Sequence, residues 1–155
     1  MAVTTQIIAL DFDNTITYNE VGYFKKEEVT NRMGSAYRTT RMLRLFHDLC
    51  QHGVTIYVVS LNRGDIIGPF LRESGLAPFV SCVYDGEHVK ASGSKQLLVQ
   101  RLMQMHDVGP RRCLMVDDEP SNIVYAPCWS LPVTQKHGID DDIDLLIRYF
   151  FGIIY

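Results

Sequence analysis

The chain has 155 residues, a formal net charge of −3 and a charged fraction of 21%, a composition typical of ordinary globular proteins. This small negative charge provides no general attraction for nucleic acid or for an anionic membrane, so neither is expected as a partner. No apolar run approaches the length that spans a bilayer, and the segment MAVTTQ lacks the basic and long apolar stretches of a secretory leader.

The four cysteines are far apart in the sequence, and no two of them form a CxxC pair. This spacing predicts free thiols in a reducing compartment rather than a disulfide or zinc framework, and hence a cytoplasmic protein. The length predicts a single domain over residues 1–155.

The first third of the chain predicts a strand, a helix and a second strand. Residues 6–10, QIIAL, are a short apolar run rich in β-branched side chains, as in a buried strand. Residues 38–53 carry apolar side chains at helical spacing and end at Gly53, a common helix stop. Residues 54–60, VTIYVVS, again predict a buried strand.

The middle of the chain repeats this order. Residues 64–75 predict a short helix that Pro69 interrupts or kinks, and residues 79–84 predict a third strand. Residues 94–106 predict a helix that begins at a serine cap. The apolar side chains at helical spacing in this last helix are Leu97, Leu98, Leu102 and Met105.

The last third predicts two strands and a helix. Residues 113–118 predict a buried strand, and residues 128–133 a weaker one. Residues 140–152 predict a helix with acidic side chains in its first turn, as the helix dipole favours. The apolar tail, residues 148–155, is expected to pack on the sheet, with a dimer contact as the alternative.

Strands that alternate with helices predict an α/β fold: a parallel sheet covered by helices on both faces, in three layers. Ligands bind such sheets at the carboxyl ends of the strands. Three strands end in polar side chains, namely Asp11 with Asp13, then Ser60, then Asp117 with Asp118. These side chains are therefore expected to meet at one edge of the sheet.

Carboxylates that crowd together repel one another, so this edge needs a positive charge. All the available ligand atoms are oxygens, which favours Mg²⁺ over a transition metal. Lys95 can add a second positive charge, and Ser60 a hydroxyl. Such a set suits phosphoryl transfer, whereas no GxxxxGK[ST] loop is present to hold a nucleotide.

Four segments in this order resemble the motifs of the haloacid dehalogenase (HAD) superfamily. They are DFDNTIT, the serine that closes TIYVVS, Lys95 and MVDDEPSN, and the resemblance covers about residues 6–126. The resemblance implies a Rossmann-like fold and a phosphatase. Dehalogenases lack an acid at the second position of the DxD pair, so Asp13 argues against dehalogenation.

The resemblance also implies catalytic roles. Asp11 would be the nucleophile that forms an aspartyl-phosphate, and Asp13 the general acid and then the general base. Ser60 and Lys95 would hold the phosphoryl oxygens. Thr15 would brace the loop beside this phosphate-binding group.

For the metal, the resemblance implies Mg²⁺ bound by a carboxylate oxygen of Asp11, the backbone carbonyl of Asp13, and Asp117. Asp118 would be a ligand through a water, or would support the ligands from behind. Strand alternation is expected to point its side chain away from that of Asp117.

Three further features have two interpretations each. Asn62, with Arg63, either contacts the substrate phosphate or belongs to a plain loop. Asn122 either bonds to the acidic loop or caps a short helix. Three arginines at positions 38, 41 and 44 form a stripe that is interpreted as a solvated helix face, with docking of a polyanion as the alternative.

HAD enzymes often carry a cap domain, but the intervals in which it is inserted are short here. Residues 16–53 and 61–94 must already supply elements of the sheet and its helices, so no separate cap domain is expected. An open site favours a macromolecular substrate such as a phosphoprotein, or a homodimer in which a second subunit supplies the lid. The first contacts would be Tyr18, Tyr23, Phe24, Lys25 and Lys26.

The alternative function is a phospho-signalling or binding module, either receiver-like or a HAD-fold protein without turnover. A receiver domain places its paired acids on the first strand and its phospho-acceptor on the third. Here the DxD pair comes first and the DD pair late, and no motif is missing, so the sequence favours the enzyme.

Overall fold

A computed structural model of the protein describes residues 5–134 and 136–153, so Ile154 and Tyr155 of the apolar tail lie outside the described residues. Five parallel strands form one sheet in the order β3-β2-β1-β4-β5. The strands are β1 (Gln6–Leu10), β2 (Val54–Val59), β3 (Val80–Tyr84), β4 (Cys113–Asp117) and β5 (Trp129–Pro132). All five strands predicted from the sequence are confirmed.

The helices are α1 (Val29–Arg32), α2 (Ala36–Gln51), α3 (Gly64–Ser74), α4 (Gly86–Ser92), α5 (Lys95–His106), α6 (Pro120–Val124) and α7 (Asp141–Phe150). The four predicted helices correspond to α2, α3, α5 and α7. Helices α1, α4 and α6 were not predicted as elements, because helices of 4, 7 and 5 residues are too short to show a hydrophobic period.

The sheet has a separate apolar core on each face. On β1, Ile8 and Leu10 belong to the core that α2, α3 and α7 cover, whereas Ile7 and Ala9 belong to the core beneath α4 and α5. This alternation follows from the two-residue period of a strand. It confirms the predicted three-layer α/β/α fold.

The buried face of α5 differs from the prediction. Its buried apolar side chains are Leu98, Val99, Leu102 and Met103. Leu97 and Met105 are 49% and 71% exposed. Leu97 precedes the buried stripe by one residue, about 100° around the helix, and Met105 lies in the last turn.

The two intervals in which HAD enzymes often carry a cap are fully described. Residues 18–28, which we call the flap, and α1 lie between β1 and α2, and the second interval holds α3, β3 and α4. These residues contain no additional folded domain, as predicted. Within the described ranges, no helix has the length and apolar character to cross a bilayer.

Candidate active site

The candidate site begins where β1 ends. Asp11 directly follows the strand, and its Oδ1 accepts a hydrogen bond of 2.8 Å from the Phe12 N–H. The chain then turns tightly, and the Thr17 N–H closes the turn on the Phe12 carbonyl at 3.1 Å. Asn14 takes the left-handed conformation with φ 59°, which asparagine tolerates better than most residues.

Lys95 joins the ends of β1 and β4. Its Nζ lies 3.0 Å from Asp11 Oδ1 and 2.9 Å from Asp117 Oδ2. The three side chains are only 5%, 8% and 1% exposed, respectively. Burial would lower the pKa of Lys95, but the charges of Asp11 and Asp117 raise it overall. Lys95 is therefore a cation at the centre of the sheet edge.

Three carboxylates form a cluster beside this lysine. Oxygens of Asp11, Asp117 and Asp118 all lie within 4.8 Å of one another. Burial raises the pKa of Asp11 well above its ordinary range, and a contact with Asp118 raises it further. These all-oxygen donors fit a hard divalent cation such as Mg²⁺, which would relieve their repulsion.

The expectation that Asp118 points away from Asp117 is wrong. Asp117 is the last residue of β4, so the alternation of side chains along a strand does not extend to Asp118. The Asp118 carboxylate instead approaches those of Asp11 and Asp117 closely enough to share a metal ligand sphere.

Both carboxylate oxygens of Asp13 are held by N–H donors. Its Oδ1 accepts 2.8 Å from the Val21 N–H of the flap, and its Oδ2 accepts 2.9 Å from Asn62 Nδ2. Burial raises the pKa of Asp13, although these two hydrogen bonds act in the opposite direction. The carboxyl group is thus fixed in orientation and inclined towards protonation.

The buried Ser60 and the half-buried Asn62 follow β2. The Asn62 N–H donates to Ser60 Oγ at 3.0 Å, so the serine hydroxyl lies in the same loop as the side chain that holds Asp13. The structure therefore brings Ser60 and Asn62 to the predicted edge of the sheet.

Asn122 bonds to the acidic loop, which was one of its two interpretations. Its Nδ2 donates to Asp117 Oδ2 at 3.2 Å, and the Glu119 N–H donates to Asp117 Oδ1 at 2.9 Å. Gln96 Nε2 in turn donates to Asn122 Oδ1 at 3.2 Å. Gln96 was not predicted as a site residue, and its position next to Lys95 is the one signal in the sequence that could have pointed to it.

The structure places Thr15 beneath the site rather than in it. Its side chain is fully buried, and its hydroxyl has no hydrogen-bond partner within the described part of the chain. Its carbonyl accepts from Arg38 Nη2 at 3.0 Å and from the Ile139 N–H at 2.9 Å. At Thr15 the backbone carbonyl, not the side chain, therefore stabilises the loop. The side chain that does so is that of Thr17, whose Oγ1 accepts from the Asn14 N–H at 3.1 Å.

The interpretation of the arginine stripe as a solvated face is wrong for Arg38. Arg38 is 6% exposed, and its Nη1 donates to the Ile16 and Met33 carbonyls at 2.7 and 3.0 Å. Burial lowers its pKa to about 10. The carbonyls in the turn after β1 and at the end of α1 attract this guanidinium into the interior, a tertiary effect that helical spacing does not reveal.

The other two arginines of the stripe behave differently. Arg41 Nη1 pairs with Asp141 at 2.8 Å and a second guanidinium nitrogen donates to the Ile139 carbonyl. Arg44 is exposed. The three arginines therefore do not form one surface for a polyanion.

The flap residues divide into packed and exposed ones. Phe24 packs edge-on against Phe70 with ring centroids 5.1 Å apart, and Tyr18 Oη lies 2.9 Å from His137 Nδ1. Tyr23, Lys25 and Lys26 are exposed. Of the five predicted first contacts, these three present exposed side chains on the flap.

Two neighbouring cavities lie at this edge of the sheet. A small one of about 180 Å³ is lined by the aspartates, Ser60 and Lys95. A groove of about 900 Å³ adjoins it. The residues that line both are Leu61, Asn62, Lys95 and Asn122.

No protein-family model matches the sequence, and no curated protein matches it significantly. Several solved structures do. An uncharacterized protein from Corynebacterium glutamicum is 20% identical, with a TM-score of 0.65 over 97% of each chain. A haloacid dehalogenase-like hydrolase from Streptococcus pneumoniae is 11% identical, with a TM-score of 0.62 over 96% of this chain and 99% of that chain.

A phosphatase of 3-deoxy-D-manno-octulosonate (KDO) 8-phosphate from Moraxella catarrhalis, in complex with magnesium ion, phosphate ion and KDO, is also similar. It is 11% identical, with a TM-score of 0.59 over 97% of this chain and 87% of that chain. These likenesses show that the chain has the haloacid dehalogenase fold, as its motifs predicted.

Proposed function

We propose that this chain, with its haloacid dehalogenase fold, is a Mg²⁺-dependent phosphatase that hydrolyses a phosphomonoester through an aspartyl-phosphate. The observation that carries the proposal is the buried lysine that bridges Asp11 and Asp117, with Asp118 beside them. These side chains line one small cavity, which supports assigning Asp11 as the nucleophile, Lys95 as the phosphate-binding cation and the carboxylates as metal ligands.

In the first step, a carboxylate oxygen of Asp11 attacks phosphorus and the bond to the leaving oxygen breaks. The Phe12 N–H and Lys95 Nζ hold Asp11 Oδ1 in place, so the carboxylate enters the reaction already oriented. Lys95 Nζ and the Ser60 hydroxyl would neutralise and orient the non-bridging phosphoryl oxygens.

Asp13 would transfer the protons. Burial inclines this carboxyl group towards protonation, which suits a general acid that donates to the leaving oxygen. The resulting carboxylate then takes a proton from the water that attacks the phosphorus of the aspartyl-phosphate. This releases inorganic phosphate and regenerates Asp11.

Asp11, Asp117 and Asp118 would hold Mg²⁺, together with the backbone carbonyl of Asp13, and the ion would supply positive charge between the nucleophile and the phosphoryl oxygens. The similar phosphatase from Moraxella catarrhalis was solved with magnesium and phosphate ions. That precedent and the oxygen-only donor set support the same metal here.

We further propose that the substrate is macromolecular, and in particular a phosphoprotein. The small cavity of about 180 Å³ suits a phosphoryl group, and the rest of the substrate must lie in the adjoining open groove or above the flap. No cap domain is available in the described intervals to enclose a small metabolite. Binding energy would therefore come from a partner surface or from a second copy of the chain.

The experiment that tests the phosphatase proposal is release of inorganic phosphate from p-nitrophenyl phosphate with Mg²⁺ and with excess chelator. We expect turnover that requires Mg²⁺ and returns when the metal is restored. Binding of phosphate analogues without any turnover, in protein loaded with Mg²⁺, would instead favour a non-catalytic phospho-binding module.

A further inference from the structure

Asn62 uses every polar atom that it has. Its backbone N–H donates to Ser60 Oγ at 3.0 Å, and its carbonyl accepts from the Gly86 N–H at 3.0 Å. Its side-chain Oδ1 accepts from the Arg63 N–H at 2.7 Å. Its Nδ2 donates to Asp13 Oδ2 and to the Val21 carbonyl, both at 2.9 Å.

These bonds leave Asn62 without a free donor for a phosphate oxygen. An amide group has two N–H donors, and here both point at the protein, one at a carboxylate and one at a carbonyl. To bind phosphate, the side chain would have to release Asp13 or the flap. Neither the loop interpretation nor the phosphate-contact interpretation of Asn62 accounts for its bonds to Asp13 and to the flap.

The same bonds close a ring that includes the proposed acid. The Val21 N–H donates to Asp13 Oδ1 at 2.8 Å, while Asn62 donates to Asp13 Oδ2 and to the Val21 carbonyl. Three segments meet in this ring, namely the turn after β1, the flap and the loop after β2. The orientation of the Asp13 carboxyl thus depends on Asn62 and on the position of the flap.

We infer that Asn62 is a positioning residue, which aims the Asp13 carboxyl at the leaving oxygen and fixes the flap in the same arrangement. The inference rests on the proposed phosphatase function. A general acid works only when its proton lies within hydrogen-bond reach of the leaving oxygen. Without Asn62, the Asp13 side chain retains one of its two fixed contacts and can rotate away from that oxygen.

The first test uses the difference between leaving groups. A nitrophenolate leaves as a stable anion, whereas an alkyl oxygen needs a proton from the acid. For Asn62→Ala we expect kcat/KM for an alkyl phosphate to fall by roughly 10²-fold, the lower end of what acid catalysis contributes. We expect kcat/KM for p-nitrophenyl phosphate to change much less, because its leaving group needs no proton. The later step, in which Asp13 would act as the base, does not enter this comparison, since kcat/KM reports only steps up to the first phosphoryl transfer.

The ratio of the two kcat/KM values is independent of the fraction of protein that is folded, so partial unfolding does not obscure the result. Asn62→Ser provides the same comparison with a smaller loss of polarity. An unchanged ratio with equal losses on both substrates would make Asn62 merely structural. A rise in KM for both substrates at constant kcat would make it a phosphate ligand, and either result overturns the inference.

The second test does not depend on turnover, so it separates this inference from the phosphatase proposal. Amide hydrogen exchange at Val21 is expected to be slow in the wild-type protein and faster in Asn62→Ala, because the ring opens. The matched control is Asn31→Ala, which alters an exposed asparagine on α1 and should leave Val21 protected. Unchanged Val21 exchange in Asn62→Ala would overturn the inference even if neither phosphate is hydrolysed.

Discussion

At the scale of single residues, the candidate site is a balance of charges at the ends of β1 and β4. Lys95 neutralises part of the charge of Asp11 and Asp117, but the pKa of Asp11 is still raised by its burial and its neighbours. The fold therefore tolerates this carboxylate at a cost in stability. Such a cost is expected where a group serves chemistry rather than the fold.

Asp11→Asn is expected to reduce turnover by at least roughly 10³-fold, because in the proposed mechanism the aspartyl-phosphate forms on Asp11. The fold should survive. Asparagine keeps an oxygen that can accept from Lys95 and the Phe12 N–H, and self-repulsion falls, so stability should stay within about 1 kcal/mol of the wild type or rise. Phosphate release and a thermal melt, run side by side, measure both effects.

The matched control for that variant is Asp142→Asn, which changes an exposed carboxylate in the first turn of α7. It should retain wild-type turnover. Substantial activity in a folded Asp11→Asn protein would show that another residue is the nucleophile.

Asp117→Ala and Asp118→Ala are expected to weaken Mg²⁺ binding alike, since both carboxylates belong to one cluster with Asp11. Titration of activity with Mg²⁺ should show the midpoint rise by about tenfold or more in each variant. The two should differ in stability, because Asp117 also accepts from Lys95 and Asn122. Asp117→Ala should cost about 2 kcal/mol more in a denaturant titration.

Equal stabilities for the two variants would show that the contacts of Asp117 contribute little to the fold. A Mg²⁺ midpoint that moves only for Asp117→Ala would restore the view that Asp118 acts through a water.

At the scale of elements, the turn after β1 depends on a segment more than 120 residues later in the chain. Gly138 has φ +58°, and a Cβ there would lie 2.6 Å from Arg38 Nη2, 2.6 Å from the Thr17 carbonyl and 2.7 Å from the Thr15 carbonyl. Gly138→Ala must therefore displace the arginine or the turn that carries Asp13. We expect a loss of at least about 2 kcal/mol in the free energy of unfolding and a lower kcat.

Chemical denaturation and phosphate release at a temperature where the variant is folded would measure these effects. Gly109→Ala is the matched control, because a Cβ at Gly109 meets no atom within 4 Å among the described residues. If Gly138→Ala lost stability but kept full kcat, the position of Asp13 would not depend on the packing of Gly138 against the turn after β1.

The sequence predicts those elements of the fold that a short stretch of neighbouring residues encodes. Apolar runs located all five strands, and the order of the polar strand ends located the edge where Asp11, Ser60 and Asp117 lie. Arg38 could not be placed in this way, because its position depends on carbonyls of the turn after β1 and of Met33. The ring around Asp13 depends on the flap approaching the loop after β2, which no local pattern encodes.

At the scale of the whole molecule, the main feature is an open site on a fold without a cap. The small cavity shares lining residues with a groove of about 900 Å³, and the flap carries the exposed side chains Tyr23, Lys25 and Lys26. The Tyr23 hydroxyl donates to Asp65 Oδ2 at 3.2 Å, and its ring lies beneath the Arg63 guanidinium, 5.6 Å from the centroid. These contacts join the flap to the rim of the groove, since Arg63 and Asp65 line it.

The final prediction is that phosphorylated proteins and peptides are better substrates than small phosphates. A panel of kcat/KM values should rank them above sugar and nucleotide monophosphates, because an open site gives a small molecule few contacts distant from the phosphoryl group. Replacing the exposed Lys25 and Lys26 together by alanine should lower kcat/KM for the protein substrates and leave that for p-nitrophenyl phosphate unchanged. The solution mass, measured on the same samples, tests the alternative that a second subunit supplies a lid. A homodimer that prefers one small metabolite would support that alternative. A monomer with the same preference would refute the macromolecular substrate.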